Sequence, residues 1–168
     1  MTVAFKRNCL LKCICTGLFI LLSHWVLVAQ EPSVPLSVVT LQDISFGAFF
    51  QGISGGTVTV SPDGTRLVNG DIIKANISGF SYYPAIYEVE ADPGTLISII
   101  KGSDTSMAGS NGGSISLQVG DSDTSFPIIV PPSGHIQVSM GGILTVENSQ
   151  DKPSGNYNGS LNVTFIQE

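Results

Sequence analysis

Glycine and proline interrupt this chain so often that an ordinary helix has nowhere to form. Beyond residue 29 the longest stretch free of both runs from Leu36 to Phe46. That is short of the ~12 residues of an average helix. It is also rich in Val, Leu and Ile, side chains that suit a pleated, half-buried strand better than a helix. Clusters of Gly, Pro, Asn and Asp recur along the rest of the chain, with short apolar or alternating runs between them. Such spacing is the signature of an all-β sandwich.

The runs predict strands over Leu36–Leu41, Ile44–Phe50, Thr57–Val60, Arg66–Val68, Ile72–Ile77, Ala85–Ala91, Leu96–Ile100 and Ser114–Val119. Ser61-Pro62-Asp63-Gly64 is a turn, because proline presets φ and glycine accepts a positive φ. It makes a hairpin of the strands on either side. The stretch from Gly102 to Gly113 reads as a polar loop. Proline lacks a ladder donor, so Phe126–Val130, which contains Pro127 and is followed by Pro131-Pro132, reads as an edge strand or a crossing connection. Ile136–Met140 and Ile143–Val146 flank Gly141-Gly142 as one bulged strand or two short ones. In the closing strand Tyr157, Gly159, Leu161, Val163 and Phe165 share a face. Polar residues alternate with them, as in a sheet with one covered face.

The first 29 residues differ from all that follow. Lys6, Arg7 and Lys12 precede an apolar run from Ile14 to Leu22 and another from Trp25 to Val28, and Ala29 stands before Gln30. This order is that of a secretory signal peptide. Ser23 and His24 interrupt the run, leaving it short of the ~20 apolar residues of a membrane span. The expected organisation is a signal peptide over 1–29 and one β-sandwich domain over 30–168. The exported domain has no membrane span and resides in the periplasm, on the cell surface or outside the cell.

Cys9, Cys13 and Cys15 all lie in the leader, so no disulfide or thiol chemistry is expected of the domain. Its basic residues are Arg66, Lys74, Lys101 and Lys152, set against all 13 acidic residues of the chain. An acidic surface of this kind repels phosphate backbones, and no nucleic-acid partner is expected.

Catalytic patterns are sparse. Gly52-Ile53-Ser54-Gly55-Gly56 fits G-x-S-x-G, but that motif needs a strand before it and a helix after it. Here Thr57-Val58-Thr59-Val60 follows as a strand, and the glycines read as a turn. His135 has no partner nearby in sequence and reads as a surface residue. Asp104, Asp121 and Asp123 are loop carboxylates without the spacing of a calcium site. Glu88 and Glu90 alternate along one strand, as solvated charges do. No catalytic residue, metal or cofactor is expected. Tyr82 and Tyr83 precede Pro84 in a predicted loop and form a candidate contact patch for a glycan or protein, since a phenol offers an apolar face with a polar tip.

Several short motifs resemble a known bacterial family. These are Leu41-Gln42-Asp43-Ile44-Ser45-Phe46-Gly47, Gly56-Thr57-Val58-Thr59-Val60 with Asp63-Gly64, Gly141-Gly142-Ile143-Leu144-Thr145-Val146, and Pro153-Ser154-Gly155-Asn156-Tyr157-Asn158-Gly159 followed by Val163-Thr164-Phe165. Their order is similar to that of secreted domains catalogued as domain of unknown function 4402, over about residues 41–168. Ile166-Gln167-Glu168 stands where the family more usually has an aromatic ending. The resemblance implies an immunoglobulin-like or pilin-like antiparallel sandwich with fimbrial character in its closing strand.

The expected function is therefore a non-catalytic, fimbrial-like structural or adhesive subunit of the surface. The alternative is a self-contained secreted module that binds a glycan or protein. Val34, Leu36 and Val38 are apolar at every second position. They form a candidate donor segment for strand addition to a neighbouring copy, or the first strand of their own sandwich.

Overall fold

Thirteen strands form in the computed structural model, which describes residues 33–148 and 153–168. The leader reading and Lys152 lie outside the described residues. Every strand pairing is antiparallel. The fold is an all-β sandwich, with residues 34–168 as its compact unit.

The main sheet is organised by one long strand, β11 (His135–Val146). Earlier strands supply its neighbours: β1 (Ser37–Gln42), β3 (Phe49–Val60), β4 (Arg66–Lys74), β6 (Ala85–Glu90), β8 (Thr105–Gly109) and β9 (Ser114–Ser122). The first half of β11 pairs with β6, from His135 opposite Glu90 to Met140 opposite Ala85. Its second half pairs with β3, from Gly142 opposite Val60 to Val146 opposite Gly56. β9 runs along the opposite edge, with a register shift between Met140 and Gly142. Gly141-Gly142 is thus a bulge within one strand, where β11 passes from one neighbour to another. Glycine is required here by close approach: a Cβ on Gly141 would lie 2.4 Å from the Val60 carbonyl oxygen.

The second sheet is smaller. β7 (Leu96–Lys101) lies between β10 (Ile128–Ile129) and β13 (Val163–Gln167). A third piece pairs β2 (Ser45–Phe46) with β5 (Tyr82–Tyr83). The core is made of side chains at alternate strand positions, as a two-layer fold requires. Val58, Val60, Leu117, Leu144 and Val146 form its largest cluster, and Ala91, Ile97 and Val130 a second beneath β7 and β10. Ala85 and Val89 of β6, and Ala91 just beyond it, are buried while Ile86 is only half-buried.

Several sequence expectations are corrected. Gly47, at φ 67°, ends the strand expected over Ile44–Phe50, so that β2 and β3 are separate elements. Gly52–Gly56 is not a turn but an irregular part of β3, where the register to β4 shifts between Gln51 and Gly56. The two strands expected at Arg66–Val68 and Ile72–Ile77 are one strand, β4, passing through Gly70 at φ 74°. The expected loop over Gly102–Gly113 contains β8, whose Met107 packs against the main core. Tyr82 and Tyr83 are paired in β5 rather than held in a loop.

The closing strand is also divided. β12 (Tyr157–Asn158) joins β8 at the far edge of the main sheet, whereas β13 joins β7 in the second sheet. The expected face survives the division: Tyr157, Leu161, Val163 and Phe165 are all half-buried. Gly159 and its neighbours carry the chain from one sheet to the other.

Candidate functional site: a groove beside the closing strand

The hydrogen bonds of β13 show which of its edges is open. The Gly102 N–H donates to the Asn162 carbonyl at 2.8 Å, and the Glu168 N–H donates to the Leu96 carbonyl at 3.0 Å. Hydrogen-bonded pairs in an antiparallel ladder recur at every second residue. The even-numbered residues of β13 therefore bond to β7, and Val163, Phe165 and Gln167 direct their N–H and C=O groups the other way. No strand lies on that side among the described residues.

A groove of about 1420 Å³ runs beside this strand, lined by Val163 and Phe165 but by no residue of β7. Its floor is the inner face of the main sheet, including Ile115 and Leu144. One wall is the stretch from Ile44 through β2 to Gln51, and the other is the stretch from Pro153 to Leu161. Asp43 is the sole charged side chain among the described lining residues. The main core cluster lies directly below, so the groove occupies the position of a missing neighbour to β13.

The rim is set by a buried cation. Arg66 is 4 % exposed, and its Nη1 donates to the carbonyls of Phe46 and Ala48, each at 3.0 Å, while Nη2 donates to that of Ala75 at 3.4 Å. The Tyr82 ring covers the guanidinium, 4.4 Å from its carbon to the ring centroid. The group is thus held by carbonyl dipoles and a ring face rather than by a carboxylate, and its buried Nε has no hydrogen-bond partner. Gly47 is essential to the approach, since a Cβ there would lie 2.9 Å from Nη1. Sequence reasoning missed Arg66. The available signal was a lone arginine at the start of an alternating strand, in phase with the inward-facing Val68 and Ile72.

Tyr82 and Tyr83 have different surroundings. Tyr83 lines the groove together with Phe50 and Phe80, whereas Tyr82 stacks on Arg66 and borders a smaller hollow beside Ala75 and Ile77. The candidate donor residues stand at the start of the main sheet. Leu36 packs against the cluster of Ala91, Ile97 and Val130, while Val34 and Val38 are about two-fifths exposed, at 41 % and 40 %. Val38 pairs with Val89 on β6 and also lines one end of the groove.

The remaining candidates are dispersed. The Ser54 N–H donates to Asp71, inside β3. His135 opens β11 opposite Glu90 and is exposed. Asp121 pairs with Lys101 at 3.1 Å on the surface. Asp123 accepts from the Ser139 N–H and the Thr124 hydroxyl. Glu88 and Glu90 alternate along β6.

These features define an antiparallel β-sandwich with one sheet left open at an edge. A family model described as domain of unknown function (DUF4402) matches residues 36–166. The chain belongs to that family. No curated protein and no solved structure matches it.

Proposed function

We propose that this domain is a non-catalytic structural or adhesive subunit, exported to the cell surface, that completes its second sheet with an extended segment from a neighbouring copy. The observation that carries this reading is the free edge of β13 beside a groove with a single charged side chain among its described lining residues. An extended guest lying there gains main-chain bonds to Val163, Phe165 and Gln167 and apolar contacts at every second side chain. The nearly uncharged lining favours a guest without charge. Residues 32–42 carry none, and Val34, Leu36 and Val38 supply the alternation. β1 is the edge strand of the main sheet and five of its six residues are exposed, so its release sacrifices little burial beyond Leu36.

A second reading, a self-contained module binding a glycan or protein, draws on the rings of Phe50, Phe80 and Tyr83 along the rim.

The test is the mobility of the native protein on an unboiled denaturing gel. Assembly by strand exchange gives a ladder that collapses on boiling. Phe165→Arg, which places a charge in the groove, and removal of residues 30–40 should each abolish the ladder. A shortened protein that stays folded and still forms the ladder would refute the donor assignment. Monomer bands throughout, with ligand binding lost on Tyr83→Ala, would establish the second reading instead.

A further inference from the structure

The main sheet stops at β4, and the hydrogen bonds at either end of this strand fix which way its peptide groups point. The Ser61 N–H donates to the Thr65 carbonyl at 2.9 Å, and the Ala75 N–H donates to the Ala48 carbonyl at 3.1 Å. Hydrogen-bonded pairs alternate along an antiparallel ladder. With Val60 opposite Arg66 and Phe49 opposite Lys74, the odd-numbered residues at both ends of β4 bond to β3. Arg66, Val68, Ile72 and Lys74 therefore turn their N–H and C=O groups the other way, where no strand lies among the described residues. Gly70 shares their phase, and its N–H donates to the Oδ1 of Asn69 at 2.8 Å.

This edge is long and poorly guarded. β4 has nine residues, whereas β10 and β12 have two each. Proline and mid-strand lysine are common guards against edge pairing. β4 has no proline, and its lysine comes only at the end. Leu67 and Ile73 stand on the outer face, opposite in phase to the buried Arg66 and Ile72, and are 56 % and 64 % exposed.

The edge also matches itself in one antiparallel register. With Gly70 opposite the Gly70 of a second copy, Leu67 meets the partner's Ile73 and Asn69 meets the partner's Asp71. Two exposed apolar residues cover each other, and an amide faces a carboxylate that can accept from it. Val68 falls opposite the partner's Ile72. Outward-facing residues are paired throughout, so the pairs on either side of Gly70 exchange main-chain bonds. At the ends Lys74 meets the partner's Arg66, whose guanidinium is turned into its own domain under Tyr82. Moving the two-fold axis one residue forward sets Asp71 against itself. Moving it one residue back sets Leu67 against the Asp71 carboxylate.

We propose that β4 is a self-association edge, at which two copies of this chain pair antiparallel about Gly70 and join their main sheets. The pairing is separate from the strand exchange proposed above, since neither β1 nor β13 takes part. Closed two-fold symmetry limits it to a dimer.

The experiment is cysteine cross-linking in the whole chain with Cys9, Cys13 and Cys15 changed to serine, so that each introduced thiol stands alone. In the proposed register residues 67 and 73 form a non-hydrogen-bonded pair with Cα atoms about 4.5 Å apart, within reach of a disulfide. Mild oxidation of Leu67→Cys mixed with Ile73→Cys should give a covalent dimer on a boiled, non-reducing gel, and either variant alone should give none. Leu67→Lys combined with Ile73→Lys changes only exposed positions. It should leave the unfolding midpoint in place and weaken dimerisation in sedimentation about tenfold, through loss of the cross-strand pairs. No dimer from the mixture, a dimer from Asp71→Cys alone, or dimerisation unchanged by the two lysines would overturn the proposal.

Discussion

The Arg66 guanidinium carbon lies over the Tyr82 ring, 4.4 Å from its centroid, while the guanidinium nitrogens reach three backbone carbonyls from two other segments. One side chain thereby ties β2, the start of β3, the end of β4 and β5 into a single corner. Arg66→Met should remove the guanidinium donors from the carbonyls of Phe46, Ala48 and Ala75, of which Ala48 keeps the Ala75 N–H, and destabilise the domain by about 2–4 kcal/mol. Arg66→Lys keeps the charge but not the fork, and should fall short of wild type as well. Tyr82→Leu, which removes only the ring face, should cost about 1 kcal/mol. Urea unfolding curves distinguish the three, and equal stability of Arg66→Met and wild type would refute the clasp.

Leu144 and Ile53 are both apolar residues of the main sheet, but their surroundings are opposite. Leu144 is 2 % exposed within the largest core cluster, and Ile53 is 78 % exposed on the irregular part of β3. Leu144→Ala should lower stability by about 2–5 kcal/mol through lost burial and the cavity left behind. Ile53→Ala should stay within about 0.5 kcal/mol of wild type. Thermal or denaturant unfolding of the two variants in parallel measures the contrast.

Gly120 permits β9 to cross the bulge of β11. A Cβ at this position would lie 2.7 Å from the Gly141 carbonyl carbon and 2.8 Å from the Gly142 nitrogen. Neither neighbour is a flexible side chain that can swing aside. Gly120→Ala should therefore destabilise by about 1–3 kcal/mol, the usual range of an overpacked interior. The open surface turn offers a control: nothing lies within 4 Å of a Cβ on Gly94, where only the strain of φ 86° opposes substitution.

The pH dependence of stability should show the Tyr87 phenol. Burial raises it above its ordinary value of 10.0, and the Asp43 carboxylate adds to the shift. The folded state thus holds this proton more tightly than the unfolded state. The associated stability is fully present below the unfolded value and is lost as pH rises through the folded value. Tyr87→Phe should flatten the alkaline limb of the stability profile, and ultraviolet titration of the native protein should show a tyrosine that ionises late. An unchanged limb would mean that the phenol does not contribute.

Local patterns carried most of the strand assignments, because alternation and turn chemistry act over a few residues. The hairpin at Ser61–Gly64 forms as read, with the Gly64 N–H donating to the Ser61 carbonyl at 2.9 Å. Gly70 was illegible as part of a strand because glycine in sequence signals a break, and only the neighbouring backbone of Gly56 explains why a side chain is excluded. Met107 lay hidden among serines and glycines, and its place in β8 depends on pairing with Ile115. The division of the closing strand was equally invisible, since Tyr157 and Phe165 keep the same phase although they belong to different sheets. The groove follows from that division. Sequence alternation identifies the covered face of Val163 and Phe165, but which edge stays open depends on the distant β7.

The handover along β11 also constrains how the chain can reach this fold. The β1–β6 pair and the β3–β4 ribbon share no ladder with each other, and each meets the rest of the main sheet through a different half of β11. That strand begins at His135, so both earlier pairs wait for a partner from late in the chain. Contacts of such sequence separation form slowly. A nascent chain stopped before His135 holds the β1–β6, β3–β4 and β8–β9 pairs but lacks the strand that joins all three into one sheet, so the main sheet closes in one late step rather than strand by strand.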